Sequence, residues 1–132
     1  MGTNDFSPSL LRIIRSCVPT FAAAELLVFL SRHPARRWKS EEISVEIRPT
    51  IIPLSAINEY LELFRSSGLV RAADGDFEYA PAAPDLEEAI GELVLAYNER
   101  PVTLIRTIYT IADLKIQSFA DSFRLKPKAL DD

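Results

Sequence analysis

One short signal constrains the fold of this chain more than any other. The dipeptide Asp74-Gly75 separates two short runs, Leu69–Ala73 and Asp76–Ala80. A two-residue turn between antiparallel strands needs positive φ, which Asp-Gly tolerates, so this pattern predicts a tight β-hairpin. Three stretches with helical apolar periodicity precede it within the segment that begins at Thr20. The chain must therefore fold into helices that lead directly into a small hairpin.

The first half is predicted to hold four helices, bounded by caps and prolines. We expect them to span Pro8–Val18, Phe21–Arg32, Glu41–Arg48 and the stretch from about Pro53 to Ser67. Ser7, Thr20 and Ser40 precede the first three of these stretches and are predicted N-caps, while Gly68 is placed for a left-handed C-cap. The short third helix and the fourth predict a helix-turn-helix, with the hairpin packed beside it.

The second half is predicted to be helical. Asp85 and Glu88 resemble a capping box that opens a helix, and Pro101 either kinks that helix or starts a new one. We therefore expect a mostly α fold with a small β-hairpin. A helix-turn-helix domain would span residues 1–84 and a C-terminal helical extension residues 85–132.

Charge is unevenly distributed along the chain. The 132 residues are 48% hydrophobic and carry a formal net charge of −4, so a packed core is expected. Residues 1–72 hold nine basic and seven acidic side chains, whereas residues 73–132 hold six and twelve. The first half is permissive for nucleic acid and the second is not attracted to it.

Chemistry-bearing motifs are nearly absent. The chain has one cysteine, Cys17, which lies among apolar residues, and one histidine, His33, so neither a disulfide nor a zinc site is expected. No Gly-rich phosphate loop or nucleophile elbow occurs, and we expect no enzyme activity and no cofactor. The N-terminus lacks the pattern of a signal peptide, which favours a cytoplasmic protein.

The first candidate site is the helix-turn-helix with the basic loop before it. In such units the second helix enters the major groove and nearby cations bind phosphates. The candidate DNA-binding residues are Arg36, Arg37, Lys39, Ser55, Asn58, Arg65 and Arg71. Trp38, inside the basic loop, is expected to anchor that loop to the core.

Acidic side chains open an alternative for the same site. Glu59 and Glu62 share the outward face of the fourth helix, so that face is equally well interpreted as an ordinary solvated surface. The hairpin carries Asp74, Asp76 and Glu78 where DNA-binding hairpins usually offer Arg or Lys. Those carboxylates favour a basic protein surface as the partner.

The second candidate site is the apolar stretch after Pro101. At 100° per residue its apolar side chains fill half of a helical cylinder, while Thr103, Arg106, Thr107 and Thr110 fill an opposite arc. Such a wide apolar surface favours a homodimer over a central helix of a monomer, though both interpretations stay open. The candidate dimer-interface residues are Val102, Leu104, Ile105, Ile108, Tyr109, Ile111, Phe119 and Phe123.

Several segments together carry a family resemblance. Glu25–Leu30, Ser40–Ile43, Ile57 with Leu61, Ser67–Val70 and the Asp74-Gly75 hairpin resemble the winged-helix regulators of bacteria, in the broad sense that includes MarR-like and ArsR-like proteins. The tail, Ala96–Arg100 through Ser118–Arg124, is similar to an extension on bacterial winged-helix proteins of unassigned function. The resemblance implies a DNA-binding, transcription-regulator-like protein that dimerises through its terminal helices. The alternative is a winged-helix protein-interaction adaptor that does not bind DNA.

Overall fold

The fold, described by a computed structural model for residues 6–131, is mostly helical with a small antiparallel sheet. Side chains are described through Ser118 and at Ala120. The elements are α1 (Pro8–Cys17), α2 (Phe21–Ser31), β1 (Arg37–Trp38), α3 (Ser40–Glu46), α4 (Leu54–Ser66), β2 (Val70–Ala73), β3 (Asp76–Tyr79), α5 (Pro84–Glu99) and α6 (Pro101–Asp131). The predicted mostly α fold with a hairpin is confirmed.

Two of the predicted helix caps are confirmed. Ser7 Oγ accepts a hydrogen bond from the Leu10 N–H at 3.2 Å, and Thr20 Oγ1 accepts one from the Ala23 N–H at 3.1 Å. Each bond satisfies one of the N–H groups that a helix start leaves unpaired. The Ser7 N–H also donates to Glu92 Oε2 at 2.9 Å, which ties the start of α1 to α5.

Two other predicted caps are wrong. Lys39 rather than Ser40 is the N-cap of α3, and its backbone N–H donates to Glu42 Oε1 at 2.9 Å. No capping box opens α5, because Pro84 takes the first helical position and Ala83 precedes it. Proline suits that position, since it lacks the N–H that would be unpaired there. At Pro101 the chain starts a new helix, which settles the open alternative.

The sheet contains one strand that the sequence did not predict. Asp74 and Gly75 have φ of 54° and 81°, so the hairpin closes by a two-residue turn as expected. β1 then pairs antiparallel with β3, with Arg37 opposite Glu78 and Trp38 opposite Phe77, and the strand order is β1-β3-β2. Part of the predicted basic loop is therefore strand.

A single core joins both predicted segments of the chain. α2 lies at its centre, and its stripe of Leu26, Leu27 and Leu30 is fully buried. Three further helices each add a buried stripe. The stripe of α4 is Ile57, Leu61 and Phe64, and that of α5 is Ala89, Ile90 and Leu93. The stripe of α6 is Leu104 and Ile108. The start of α6 thus packs into the same core as α2 and α4.

The apolar helices are short. Among the described helices none is by itself long and apolar enough to cross a membrane. By length and composition, α1 and α2 are long and apolar enough only when taken together, and the chain bends by 111° between them.

Candidate functional site

The outward surface of α4, with α3, β1 and the hairpin around it, forms the first candidate site, here called the α4 face. α3 packs against α4, and Gly68, at φ 81°, turns the chain from α4 toward β2. Gly is suited to this left-handed position because a side chain would be strained there. The α4 residues predicted to point outward are all exposed; they are Ser55, Asn58, Glu59, Glu62, Arg65 and Ser66.

Two cations of the predicted DNA-binding set are paired with acids of the hairpin. Lys39 Nζ lies 3.0 Å from Asp76 Oδ1, and the hydrogen bond and charge of Asp76 raise the pKa of Lys39. An Arg71 guanidinium nitrogen lies 3.1 Å from Glu78 Oε1. Each basic side chain therefore already has a carboxylate partner on its own surface.

A third predicted DNA-binding cation is paired within α4. Arg65 Nε donates to Glu62 Oε2 at 2.7 Å, one helical turn away. That hydrogen bond raises the pKa of Arg65 and lowers the pKa of Glu62. Exposed pairs of this kind contribute little stability, but they reduce the positive potential that the face presents.

Asn58, the predicted base reader, is held by a residue whose role the sequence did not predict. Ser40, at the start of α3, donates its hydroxyl hydrogen to Asn58 Oδ1. An asparagine reads adenine through both its carbonyl oxygen and its amide nitrogen. Because Ser40 occupies the oxygen, Asn58 would have to break this bond to make the bidentate contact.

Three cations of the α4 face remain outside these ion pairs. Arg36 stacks on the Trp38 ring, with its guanidinium carbon 3.8 Å from the ring centroid. Trp38 itself is buried against Phe29, at 5.0 Å between centroids, so it anchors β1 to the core as predicted. Arg37 and Arg48 are exposed and have no ion-pair partner among the side chains that the structure describes.

An exposed apolar group lies at the turn between α3 and α4. Val45 is 54% exposed near the end of α3, Ile51 is 86% exposed in the connecting segment, and Leu54 is 40% exposed at the start of α4. Val45 is exposed although Ile43 and Ile47 on either side of it in sequence are buried, because α3 buries only its inner face. α3 is too short for periodicity to distinguish its two faces.

The second candidate site, on α6, divides into a buried and an exposed side. Leu104 and Ile108 are fully buried in the protein's own core and are not available to a second subunit. Thr107, placed on the polar arc, is also buried and donates to the Thr103 carbonyl at 2.8 Å. Ile111 is half-buried against the core. The exposed surface is therefore narrower than the predicted half-cylinder.

Five apolar residues of α6 outside its fully buried stripe follow a regular spacing, here called the α6 seam, while Leu114, which is 56% exposed, lies outside this spacing. Val102, Ile105, Tyr109, Ala112 and Ile116 recur at alternating intervals of three and four residues. All are exposed except Ala112, which is half-buried. Phe119 and Phe123 continue the spacing in sequence, but they lie outside the described side chains. This 3.5-residue period is the pattern of a coiled coil.

Comparison with known families, curated proteins and solved structures finds no match to this chain. Among the described residues no group of three or more His, Cys, Asp or Glu side chains is placed to hold a metal ion. The interpretation of both candidate sites therefore depends on their own chemistry.

Proposed function

We propose that the chain is a winged-helix adaptor, dimeric through α6, whose α4 face binds a basic protein partner. The order of α3 and α4, followed by a hairpin whose second strand, β3, also pairs with a short strand before α3, supports the winged-helix assignment. Function does not follow from that fold alone, because such modules bind either nucleic acid or protein. The charge of the face favours protein as the partner.

The pairing of the face's cations with its own acids carries the proposal. Lys39, Arg65 and Arg71 are each bonded to a carboxylate of the same surface. Between residues 32 and 79 the chain has eight acidic and seven basic side chains. Binding to duplex DNA depends on neutralising phosphates by an excess of cations, and this surface has none.

The exposed apolar group supplies an attractive contact for protein. Ile51 leaves most of its surface in water, and full burial of an isoleucine side chain stabilises a complex by about 1.5–3 kcal/mol. Glu46 and Glu59 are exposed on the helices that flank this group. An amphipathic helix with basic flanks matches both features, since its apolar face covers Ile51 while its cations meet the carboxylates.

A designed peptide tests this proposal directly. A Leu/Lys amphipathic helix should bind the native chain, while a Ser/Lys peptide of equal charge should bind much more weakly. Ile51→Ser should lower the affinity for the amphipathic peptide by about tenfold or more, since burial of that side chain is lost. Leu95→Ser is the matched control, because Leu95 is also exposed but lies on α5. Equal binding by both variants would reject the adaptor site.

The α6 seam supports the dimeric part of the proposal. Exposed a and d positions along a helix are covered when a second helix with the same pattern packs alongside. A second copy of this chain offers that pattern by symmetry. The Tyr109 hydroxyl accepts a hydrogen bond from the Phe21 N–H at 3.1 Å, which fixes one seam residue against α2.

DNA remains a second candidate because of three cations. Arg36, Arg37 and Arg48 are exposed and have no carboxylate partner among the described residues. They are the groups that would contact phosphates if duplex DNA bound here. A salt titration of DNA binding separates this candidate from the adaptor.

A further inference from the structure

A cleft between α1 and α6 lies away from the α4 face. Its cavity is about 250 Å³ and is lined by apolar side chains of both helices, namely Ile14, Val18, Ile108, Ile111, Ala112 and Ile116. A second cavity of about 320 Å³ adjoins it, since Arg15 and Ile111 line both. Together they form a groove along α1. At 1.5 Å per residue, the ten residues of α1 make that helix about 15 Å long.

The charged side chains of this groove are all basic. Arg15 and Lys115 line the first cavity, and Arg12 and Arg15 line the second. The ammonium of Lys115 donates to the Arg15 carbonyl oxygen at 3.0 Å, which brings it to the α1 side of the cleft. Neither Arg15 nor Lys115 has an ion-pair partner among the described side chains, and no acidic residue lines either cavity.

We propose that this cleft binds a small anionic amphiphile, of the class of aromatic and medium-chain alkyl carboxylates. The anion lies between Arg15 and Lys115, and the apolar body lies between α1 and α6. An apolar cavity with a few convergent polar groups is the usual form of a small-molecule site. Two cations without carboxylate partners select an anion, because charge-assisted bonds to a carboxylate are the strongest that they can form.

The charge of the cleft also sets it apart from the α4 face. On the α4 face Lys39, Arg65 and Arg71 are paired with carboxylates of the same surface. The cleft combines unneutralised cations with apolar walls in an otherwise acidic protein with a net charge of −4. A free amphiphile fits this combination better than an extended membrane surface, since the apolar walls form a recess between two helices.

The cations and most of the walls of the cleft lie outside the proposed dimer interface. Its α1 wall, its cations and Ile108 lie outside the α6 seam, although Ala112 and Ile116 line it as well as belonging to that seam. Ile105 is part of the seam and does not line the cleft. A variant at Ile105 therefore changes the seam without replacing a residue that lines the cleft.

A matched pair of fluorescent probes tests the proposal. The anionic probe is 1-anilinonaphthalene-8-sulfonate, and the neutral probe is N-phenyl-1-naphthylamine, which lacks only the sulfonate. The native chain should bind the anionic probe saturably and at least tenfold more tightly than the neutral one. The double variant Arg15→Gln/Lys115→Gln should lose this preference while it keeps its affinity for the neutral probe. Dodecanoate should displace the anionic probe, and dodecanol should not.

Three controls complete the experiment. Arg106→Gln removes an exposed cation of α6 that does not line the cleft, and it should leave both affinities unchanged. Ala112→Leu should weaken both probes by filling the cavity, and Ile105→Asp should weaken neither. Circular dichroism of each variant verifies that it is folded.

Four results would overturn the proposal. They are equal affinity for the two probes, loss of the preference in Arg106→Gln, unchanged binding by Ala112→Leu, and loss of binding in Ile105→Asp. Co-sedimentation with anionic phospholipid vesicles, without displacement of the probe by dodecanoate, would instead assign the cations to a membrane surface and would equally overturn it.

Discussion

Lys39 and Asp76 join the first turn of α3 to the hairpin through a bond of 3.0 Å between Nζ and Oδ1. Lys39 is the N-cap of α3, and Asp76 is the first residue of β3. The bond therefore links the start of α3 to the hairpin. It also explains why an acidic hairpin lies next to a basic segment, since each neutralises part of the other.

Two glycines with open surroundings should respond to alanine in opposite ways. A Cβ at Gly91 or at Gly75 would meet nothing within 4 Å, so packing does not distinguish them. Gly91 lies inside α5, and Gly91→Ala should stabilise the fold by about 0.5–1 kcal/mol because alanine loses less chain entropy. Gly75 has φ 81°, and Gly75→Ala should destabilise by about 1–2 kcal/mol through strain. Urea unfolding, followed by the emission of Trp38, measures both changes.

The comparison of these two variants separates the effect of backbone conformation on stability from the effect of side-chain contacts. Shifts of the same sign in both variants would show that something other than φ sets the free energy of unfolding at these positions. The slope of the unfolding transition should stay unchanged, because neither variant alters the buried surface.

Cys17 should make the fold sensitive to alkaline pH. Burial raises the pKa of its thiol from 9.0 to about 11. Below pH 9 the thiol is protonated in both the folded and the unfolded state, so its contribution to the free energy of unfolding is fully present. As the pH rises from 9 toward 11, the thiol ionises in the unfolded chain before it does so in the folded protein. The free energy of unfolding therefore falls by about 1.4 kcal/mol per pH unit. Unfolding in urea across this pH range measures the loss.

Cys17→Ala provides the control for the alkaline effect. Its free energy of unfolding should fall less steeply between pH 9 and 11, because the contribution of the thiol is absent, while Tyr79, whose pKa burial raises from 10.0 to about 12, contributes equally in both chains. Identical pH profiles for the native chain and Cys17→Ala would contradict the assignment. The buried thiol should also react with a thiol reagent only as fast as the protein opens.

The α6 seam should hold two copies together. Light scattering of the native chain should give twice the mass of 14.8 kDa. Ile105→Asp should give a folded monomer, because a carboxylate at a d position of a coiled coil is left without a partner. Thr110→Asp, at an exposed position outside the seam, should remain dimeric. A native chain that is monomeric at all concentrations would reject the dimer.

Local signals in the sequence predicted a large part of the fold. The Asp74-Gly75 turn, the Ser7 and Thr20 caps and the apolar stripe of α4 each depend on neighbours within a few residues, and the structure contains them all. The anchoring role of Trp38 followed from its size and apolar character. These features are determined by residues close to them in the sequence, so they can be predicted from it.

Features that depend on tertiary pairing escaped prediction. β1 is only two residues long, so it has no periodicity and exists because β3 pairs with it. The bond between Ser40 and Asn58 joins residues 18 positions apart, and Ser40 alone resembles an ordinary cap. The exposure of Val45 and Ile51 was missed because apolar residues in short segments give no sign of which way they face.

Removing three acidic charges, two on the hairpin and one on α4, should create DNA binding that the native chain lacks. Asp76→Asn and Glu78→Gln free Lys39 and Arg71, and Glu62→Gln frees Arg65. The triple variant should bind mixed duplex DNA weakly, with a slope of log affinity against log salt of about −3, because three cations become available to phosphates. Its free energy of unfolding should fall only slightly, since the basic partner of each pair is exposed and such ion pairs contribute little stability.

The binding of the native chain to a fluorescently labelled mixed-sequence duplex at low salt, followed by anisotropy, tests the central claim most directly. Non-specific attraction to DNA is strongest under these conditions. An α4 face without an excess of cations, on which Lys39, Arg65 and Arg71 are paired with carboxylates, predicts no detectable binding by the native chain and measurable binding by the triple variant. Binding by the native chain that weakens steeply with salt, and that is lost in Arg36→Gln/Arg37→Gln/Arg48→Gln, would contradict the adaptor and identify the face as a DNA-binding surface.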